Sequence, residues 1–284
     1  MGKTQPALSA QIKSLNQAVG APVMLRQRYG VSLTQAGLDL LPYAEACMRS
    51  IEGAQNHVYR LRGLEAGRLH VLASTSVAVY LMPEVLARFH QTYPHIELAV
   101  SHQSAEMAVQ SLEKGHGDLA VVRGAPGKHA KGFADNFVVL QILEDETILA
   151  VTPDHPLARF ESISPAQLND ISIVNRESTS ATQLMAGEVA KSFGAKFKVT
   201  LQTAGVEALK EAILRGFGAG FLSQMAISRE VSNGTLRAIR VDAPEFKQFV
   251  SIIYPPKGQS SLVVPRFIEI FQETVGSRKK LSAP

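Results

Sequence analysis

The chain has 284 residues, 45% of them hydrophobic, with 29 basic and 25 acidic side chains and a formal net charge of +4. At about 100–200 residues per domain, that supports two domains or one large one with enough apolar material for real cores. A single cysteine, Cys47, excludes an internal disulfide and fits a reducing compartment, and no apolar run approaches the roughly 18–20 residues of a membrane span.

The opening Met1-Gly2-Lys3-Thr4-Gln5-Pro6 lacks the apolar core of a secretory signal, so the expectation is a soluble cytoplasmic protein with no membrane partner. Charge is unevenly spread. Residues 1–67 hold seven basic and four acidic side chains, with no acidic residue before Asp39, while the remainder is nearly neutral. A basic end without competing carboxylates suits a polyanion, because phosphate contacts need Lys and Arg. The bland alternative is chance.

From Thr4 to Val19, Leu8, Ile12, Leu15 and Val19 recur at 4, 3 and 4 residues and form one stripe of an amphipathic helix. Thr4 suits its N-cap and Pro6 its first turn; Gly20 and Pro22 end it. Val23–Leu33 reads as a short ribbon turning at Tyr29-Gly30. Thr34 then caps a helix reaching about Arg62, with Leu38, Leu41, Met48, Ile51, Val58 and Leu61 near a 3–4–7 repeat. At 1.5 Å per residue this helix is about 42 Å long, and its stripe calls for a partner helix, so dimerisation is the expectation. Packing against its own domain is the alternative. Cys47, within this helix, is expected to be buried.

After a hinge at Gly63–Gly67 the texture changes. Leu69–Ala73 reads as a strand, Ser74-Thr75-Ser76 as a turn, Leu81–Tyr93 as a helix stopped by Pro94, and Ile96–Val100 as the next strand. A helix over about Ala105–Lys114 leads into strand Asp118–Val122. This β-α-β-α-β order predicts a parallel sheet with helices on its faces. A strand at Thr147–Val151, helices near Thr182–Phe193 and Val206–Gly216, and a strand at Gly220–Leu222 predict a second α/β lobe. Strand Phe249–Tyr254 and helix Val264–Val275 follow. Two such lobes would meet in a cleft, where strand ends and helix N-termini make a ligand site.

With these elements in place the sequence resembles the LysR-type transcriptional regulators. Thr4-Gln5-Pro6-Ala7-Leu8-Ser9 with Ile12 and Leu15 is similar to that family's recognition-helix motif, and Gly20-Ala21-Pro22-Val23, Arg26 and Val31-Ser32-Leu33-Thr34-Gln35-Ala36-Gly37 match its wing and linker entry. Leu81-Met82-Pro83, Phe89, Tyr93-Pro94, Leu112, Asp118-Leu119-Ala120, Gly216-Phe217-Gly218 and Gly234-Thr235-Leu236 fall at family-like places. The resemblance implies a partial winged helix-turn-helix over 1–33, a linker helix and hinge over 34–67, and a main α/β body over 68–284. That body would be two-lobed like a type 2 periplasmic binding protein, one lobe over about 68–142 and 248–284 and the other over about 143–247. It also implies promoter DNA, a small-molecule effector, RNA polymerase and further copies of the chain, as homodimer or homotetramer, as partners. No enzyme activity, cofactor or metal is implied. The chain departs from the family at Asn16, usually Glu, and Met24, usually Phe. It also begins almost on the recognition helix, without the first helix and most of the second. The expectation is therefore that Leu8, Ile12 and Leu15 lose burial, at about 2 kcal/mol per exposed large side chain. A start assigned too late, or a broken DNA-binding domain, would each explain this.

The resemblance carries DNA contacts to Thr4, Gln5, Pro6, Ser9 and Lys13, with Arg26 on the wing. Gln5 and Ser9 can reach base edges in a major groove, whereas Lys13 and Arg26 add phosphate affinity; Thr4 as a mere cap and Lys13 as a solvated side chain are the alternatives. For the effector, Ser74, Thr75 and Ser76 lie between a strand and a helix, Gln103 and Ser104 follow the next strand, and Arg123 follows the third. The other lobe adds Ser178 and Thr179, before a helix, and Thr203, after a strand. Hydroxyls and free N–H groups there suit an anion, and Arg123 and Arg176 could each balance an acidic ligand; Ser74–Ser76 as only a capping turn, and Arg123 and Arg176 in surface ion pairs, are the alternatives.

Other chemistries find less support. Gly216-Phe217-Gly218-Ala219-Gly220 leads from a helix into a strand, the reverse of a dinucleotide fingerprint. His129 stands where a phosphate loop after Gly124 would need Ser or Thr, the histidines lack metal spacing, and no G-x-S-x-G elbow places a nucleophile. A sensor module that has lost DNA binding, and an enzyme acting in the cleft, remain as competing readings.

Overall fold

The computed structural model describes residues 5–27, 30–60, 67–124, 136–177, 180–256 and 261–281. Thr4, Ser178 and Thr179 lie outside the described residues, as do the side chains of Gln5 and Arg26. The chain divides into two units, Met1–Leu61 and Arg62–Pro284.

In the first unit, helix α1 (Gln5–Val19) is followed by an antiparallel ribbon, β1 (Met24–Gln27) and β2 (Gly30–Leu33), and then by helix α2 (Gln35–Arg60). The departure at Asn16 has a local use: its side-chain oxygen accepts from the Val23 N–H at 2.9 Å and ties the end of α1 to the ribbon. Thr34 is the N-cap of α2. Its hydroxyl accepts from Gly37 N–H at 3.0 Å and donates to the Pro22 carbonyl at 2.6 Å. Gly37 is required by close approach, since a Cβ there would stand 2.1 Å from the Val23 carbonyl oxygen.

The apolar stripes of this unit are open. Leu8 and Leu15 on α1 are 52% and 41% exposed, and Leu38, Leu41, Met48, Ile51 and Val58 on α2 are all exposed. Cys47 is exposed as well, a correction to the burial expected of it. Among the described residues of this unit, none covers that part of α2.

The second unit is built on an eight-stranded sheet in the order β4-β3-β5-β12-β6-β11-β7, with β10 also pairing β6. Here β3 is Gly67–Ser74, β4 Ile96–Gln103, β5 Leu119–Arg123, β6 Val138–Val151, β7 Ser162–Ile163, β10 Gly220–Ser223, β11 Arg237–Val241 and β12 Lys247–Tyr254. As the sequence predicts, β3 runs parallel to both β4 and β5. The connecting helices are α3 (Thr75–Tyr80), α4 (Met82–Thr92) and α5 (Ala105–Glu113). The alternation of side chains along these strands splits the core. Leu69, Val71 and Val121 face α4 and the last helix, α9 (Val263–Leu281), around Phe89, Phe267 and Phe271. Leu72, Ala120 and Val122 face Leu112 of α5.

Strand β6 runs on into a second lobe. Its residues 138–146 pair with β12, while 147–151 pair with β10 and β11. The second lobe adds a parallel pair, β8 (Ser172–Asn175) and β9 (Lys198–Gln202), bridged to Ala219 through Ile173. Helices α6 (Ala181–Ser192) and α7 (Val206–Leu214) cover it, and α8 (Ser228–Ser232) follows β10. Leu149, Val151, Phe221 and Ile239 pack on the α6 side, and Ile148, Ala150, Val174 and Leu222 on the α7 side. Gly218, at φ +132°, admits the chain against β8; a Cβ there would lie 2.4 Å from the Ser172 carbonyl oxygen.

Two local expectations are corrected. Ser74–Ser76 is not a separate turn: Ser74 ends β3 and is the N-cap of α3, whose first residues are Thr75 and Ser76. The strand expected from Thr147 begins at Val138, nine residues earlier in the chain.

Candidate ligand site

The parallel strands of the first lobe end at Ser74, Gln103 and Arg123, and Ser74 and Gln103 are paired in register. Ser74 is buried and accepts from the Arg123 N–H at 3.0 Å. Thr75 and Ser76 are half-buried at the start of α3, with the Thr75 hydroxyl 2.9 Å from Nε2 of His102. Gln103 accepts from the Ser111 hydroxyl at 3.1 Å. Ser104 is exposed and caps α5, accepting from Met107 N–H at 3.2 Å.

Arg123 is neither a free cation nor part of a surface ion pair. Its side chain is 6% exposed and its Nε pairs with Asp145, itself 2% exposed. One terminal nitrogen donates to Gln248 Oε1 at 2.8 Å, and the other donates to Thr147 Oγ1 at 2.7 Å and to the Asp145 carbonyl at 3.4 Å. All three guanidinium nitrogens are engaged within the fold. Asp145 also accepts from the Ser223 hydroxyl at 2.7 Å and from Met225 N–H at 3.2 Å, both from the second lobe. Gln248 completes the knot by donating to the Met185 sulfur at 2.9 Å. This network joins the lobes where β6 passes between them.

The second lobe presents the opposite condition. Among the described residues, Asn175 Oδ1 at the end of β8, Arg176 Nε, Thr203 Oγ1 just after β9, Ser180 Oγ at the N-cap of α6 and Gln183 Oε1 in its first turn are all buried without a hydrogen-bond partner. The Thr203 N–H donates to the Asn175 carbonyl at 2.9 Å, so the two strand ends are held side by side. Arg176 pairs with Glu177, which also accepts from Gly205 N–H at 3.2 Å. Burial pushes the Glu177 carboxyl up, but the Arg176 and backbone hydrogen bonds outweigh it and hold the group below the usual carboxylate range.

Buried polar groups are normally paired, so five such atoms without a partner among the described residues, at two paired strand ends and one helix N-terminus, are unusual. Of these groups, sequence reasoning singled out Thr203 and Arg176. It missed Asn175, Ser180 and Gln183, for which the only signal was a hydroxyl run before a helix.

On α1, Pro6, Ser9 and Lys13 are exposed, and the helix carries no acidic residue. Among the described residues no helix is long and apolar enough to cross a membrane, and no group of three or more His, Cys, Asp or Glu could hold a metal ion.

The LysR substrate binding domain model matches residues 62–276, and the model for the bacterial regulatory helix-turn-helix protein of the lysR family matches residues 1–38. The chain belongs to the LysR family. It is similar to the probable RuBisCO transcriptional regulator of Cyanidioschyzon merolae, with 31% identity over 261 residues, covering 90% of this chain and 85% of the relative. The protein of that description from Cyanophora paradoxa is 28% identical over 284 residues, covering 99% and 86%.

Among solved structures, the CcmR regulatory domain of Synechocystis in complex with 2-PG matches with TM-score 0.65 and 25% identity, over 73% of this chain and 96% of that one. Full-length OxyR from Pseudomonas aeruginosa matches with TM-score 0.71 and 21% identity, over 96% and 85%, a likeness of fold. This LysR-family chain therefore has the expected architecture: a helix-turn-helix segment, a long helix and a periplasmic-binding-protein-like α/β body. It is a LysR-type transcriptional regulator with an effector-binding domain.

Proposed function

We propose that this regulator binds promoter DNA through α1 and the β1–β2 ribbon, and that a small anionic effector held at the strand ends of the α/β body changes that binding. The observation that carries the reading is the set of unpaired buried polar atoms on Asn175, Arg176, Ser180, Gln183 and Thr203. Thr75, Ser76, Gln103 and Ser104 would face the guest from the first lobe, and Ser178 and Thr179, outside the described residues, are proposed as further contacts. Ser74, whose hydroxyl accepts from Arg123 N–H, is a proposed contact beside Thr75, and Arg123, with all three guanidinium nitrogens engaged, holds the strand end in place.

An anion is favoured by the N-terminus of α6, with Arg176 Nε as a further donor beside its pair with Glu177. That the CcmR regulatory domain was solved with 2-PG makes 2-PG the first probe to use. Thr4, Gln5, Pro6, Ser9, Lys13 and Arg26 are the proposed DNA contacts, and the exposed stripe of α2 is the proposed seam with a second copy.

Calorimetric titration of the full chain with 2-PG and with small carboxylates tests the effector half. Saturable binding that weakens about tenfold in Thr203→Val, the loss of one good hydrogen bond to a charged ligand, supports it. Titrations that are identical in the variant and the parent remove Thr203 from the site.

A further inference from the structure

A second junction between the lobes lies apart from the Arg123 knot. Tyr80, the last residue of α3 in the first lobe, packs against the second-lobe core around Val206, Leu209 and Ile213. Its hydroxyl donates to Glu207 on α7. Lys210, one turn further along α7 and 5% exposed, sits 3.0 Å from Glu207, 2.9 Å from Glu230 and 3.2 Å from the Ala226 carbonyl. Its ammonium also lies 5.2 Å from the centre of the Tyr80 ring. In exchange, Met225 of the second lobe packs against the first-lobe core.

The placement of this cluster matters more than its strength. Helix α3 starts at Thr75 and ends at Tyr80, a rigid piece about 9 Å long at 1.5 Å per residue. Helix α7 starts at Val206, three residues after Thr203, and carries Glu207 and Lys210 in its first turns. Each helix thus bears a candidate ligand group at or just before its N-terminus and one half of the junction within two turns of it. Moving either half of the junction must move the ligand groups with it.

We infer that Tyr80, Glu207 and Lys210 form a clasp that sets the separation of the two lobes and, through it, the spacing between Thr75–Ser76 and Thr203. Tyr80 and Glu207 are positioning residues in this inference, acting through the helices that carry those groups. The ligand half of this inference rests on the effector reading above, but the clasp itself does not. An effector that prefers one lobe spacing shifts that equilibrium only by its differential affinity for it, so releasing the clasp lowers apparent affinity by reducing the competent fraction.

The test uses the full chain with Cys47→Ser and spin labels at Gln110→Cys on α5 and Lys191→Cys on α6, both exposed, with distances read by pulsed electron resonance. Tyr80→Phe keeps the ring and loses only the hydroxyl; Glu207→Gln removes the charge. Each is expected to broaden the interlobe distance distribution toward longer values, and the double variant to go no further than the singles. Val109→Ala, in the first-lobe core away from the junction, controls for general destabilisation and should leave the distribution narrow.

Superimposable distributions in Tyr80→Phe and the parent would overturn the clasp, as would equal broadening in Val109→Ala. With 2-PG, the clasp variants are expected to bind about tenfold more weakly than the parent. If the parent itself binds no 2-PG while the distances still broaden, the clasp stands and the choice of effector falls.

Discussion

Ser223, at the end of a second-lobe strand, donates its hydroxyl to Asp145 at 2.7 Å, on the same carboxylate oxygen that Arg123 of the first lobe engages. One carboxylate therefore serves both lobes at the point where β6 passes from one to the other. The geometry explains why Arg123, at the end of a parallel strand where a ligand-binding cation would be sought, is occupied by the fold instead.

Removing one partner of such a buried pair leaves the other charge uncompensated. Asp145→Ala is expected to cost about 3–5 kcal/mol, read as a lowered urea midpoint. A loss below about 1 kcal/mol would show that Arg123 finds water or another acceptor.

Thr203→Val should behave in the opposite way. The Thr203 hydroxyl is buried without a partner, so its removal breaks no internal bond, and stability should stay within about 0.5 kcal/mol of the parent or rise. A large loss in thermal unfolding would show that the hydroxyl has a structural partner.

Gly37→Ala probes the junction of the ribbon and α2. The added Cβ would meet the Val23 carbonyl oxygen at 2.1 Å, and such overpacking typically costs about 1–3 kcal/mol. Circular dichroism should show an earlier melting helical signal; unchanged melting would mean the backbone gives way freely.

Much of this architecture was legible because the parallel strands read as near-continuous apolar runs and the helices repeat at 3.6 residues. Less legible was the first half of β6. Its Glu144, Asp145 and Glu146 look like loop residues, yet Asp145 is charged because it must meet Arg123, 22 residues earlier in the chain. The six residues of α3 are too few for a helical period to show. Cys47 misled for another reason: an apolar stripe predicts burial, but not against what, and Cys47 is exposed among the described residues of the first unit. The ligand site divides in the same way. Hydroxyls beside a strand end were readable, whereas the unpaired state of Asn175, Ser180 and Gln183 is a property of the folded surroundings alone.

His155 supplies a pH dependence. Its Nδ1 accepts from Leu157 N–H at 3.2 Å and caps a short turn, and burial lowers its pKa from 6.5, against a small opposing pull from Asp154. The unfolded chain therefore binds the proton first, so this contribution is complete above pH 6.5 and declines as pH falls through the depressed folded value. His155→Asn should flatten that part of the stability profile. Curves for variant and parent that stay parallel between pH 7 and 5 would assign the change to other groups.

Ligand at the strand ends is proposed to change the grip on DNA. It is tested by fluorescence anisotropy of the full chain on a DNA fragment selected for binding to it, at fixed salt, with and without 2-PG, in the parent and in Thr203→Val. The expected result is a DNA affinity that shifts with 2-PG in the parent and does not shift in the variant, with equal ligand-free affinities. A 2-PG response of the same size in both proteins would contradict it.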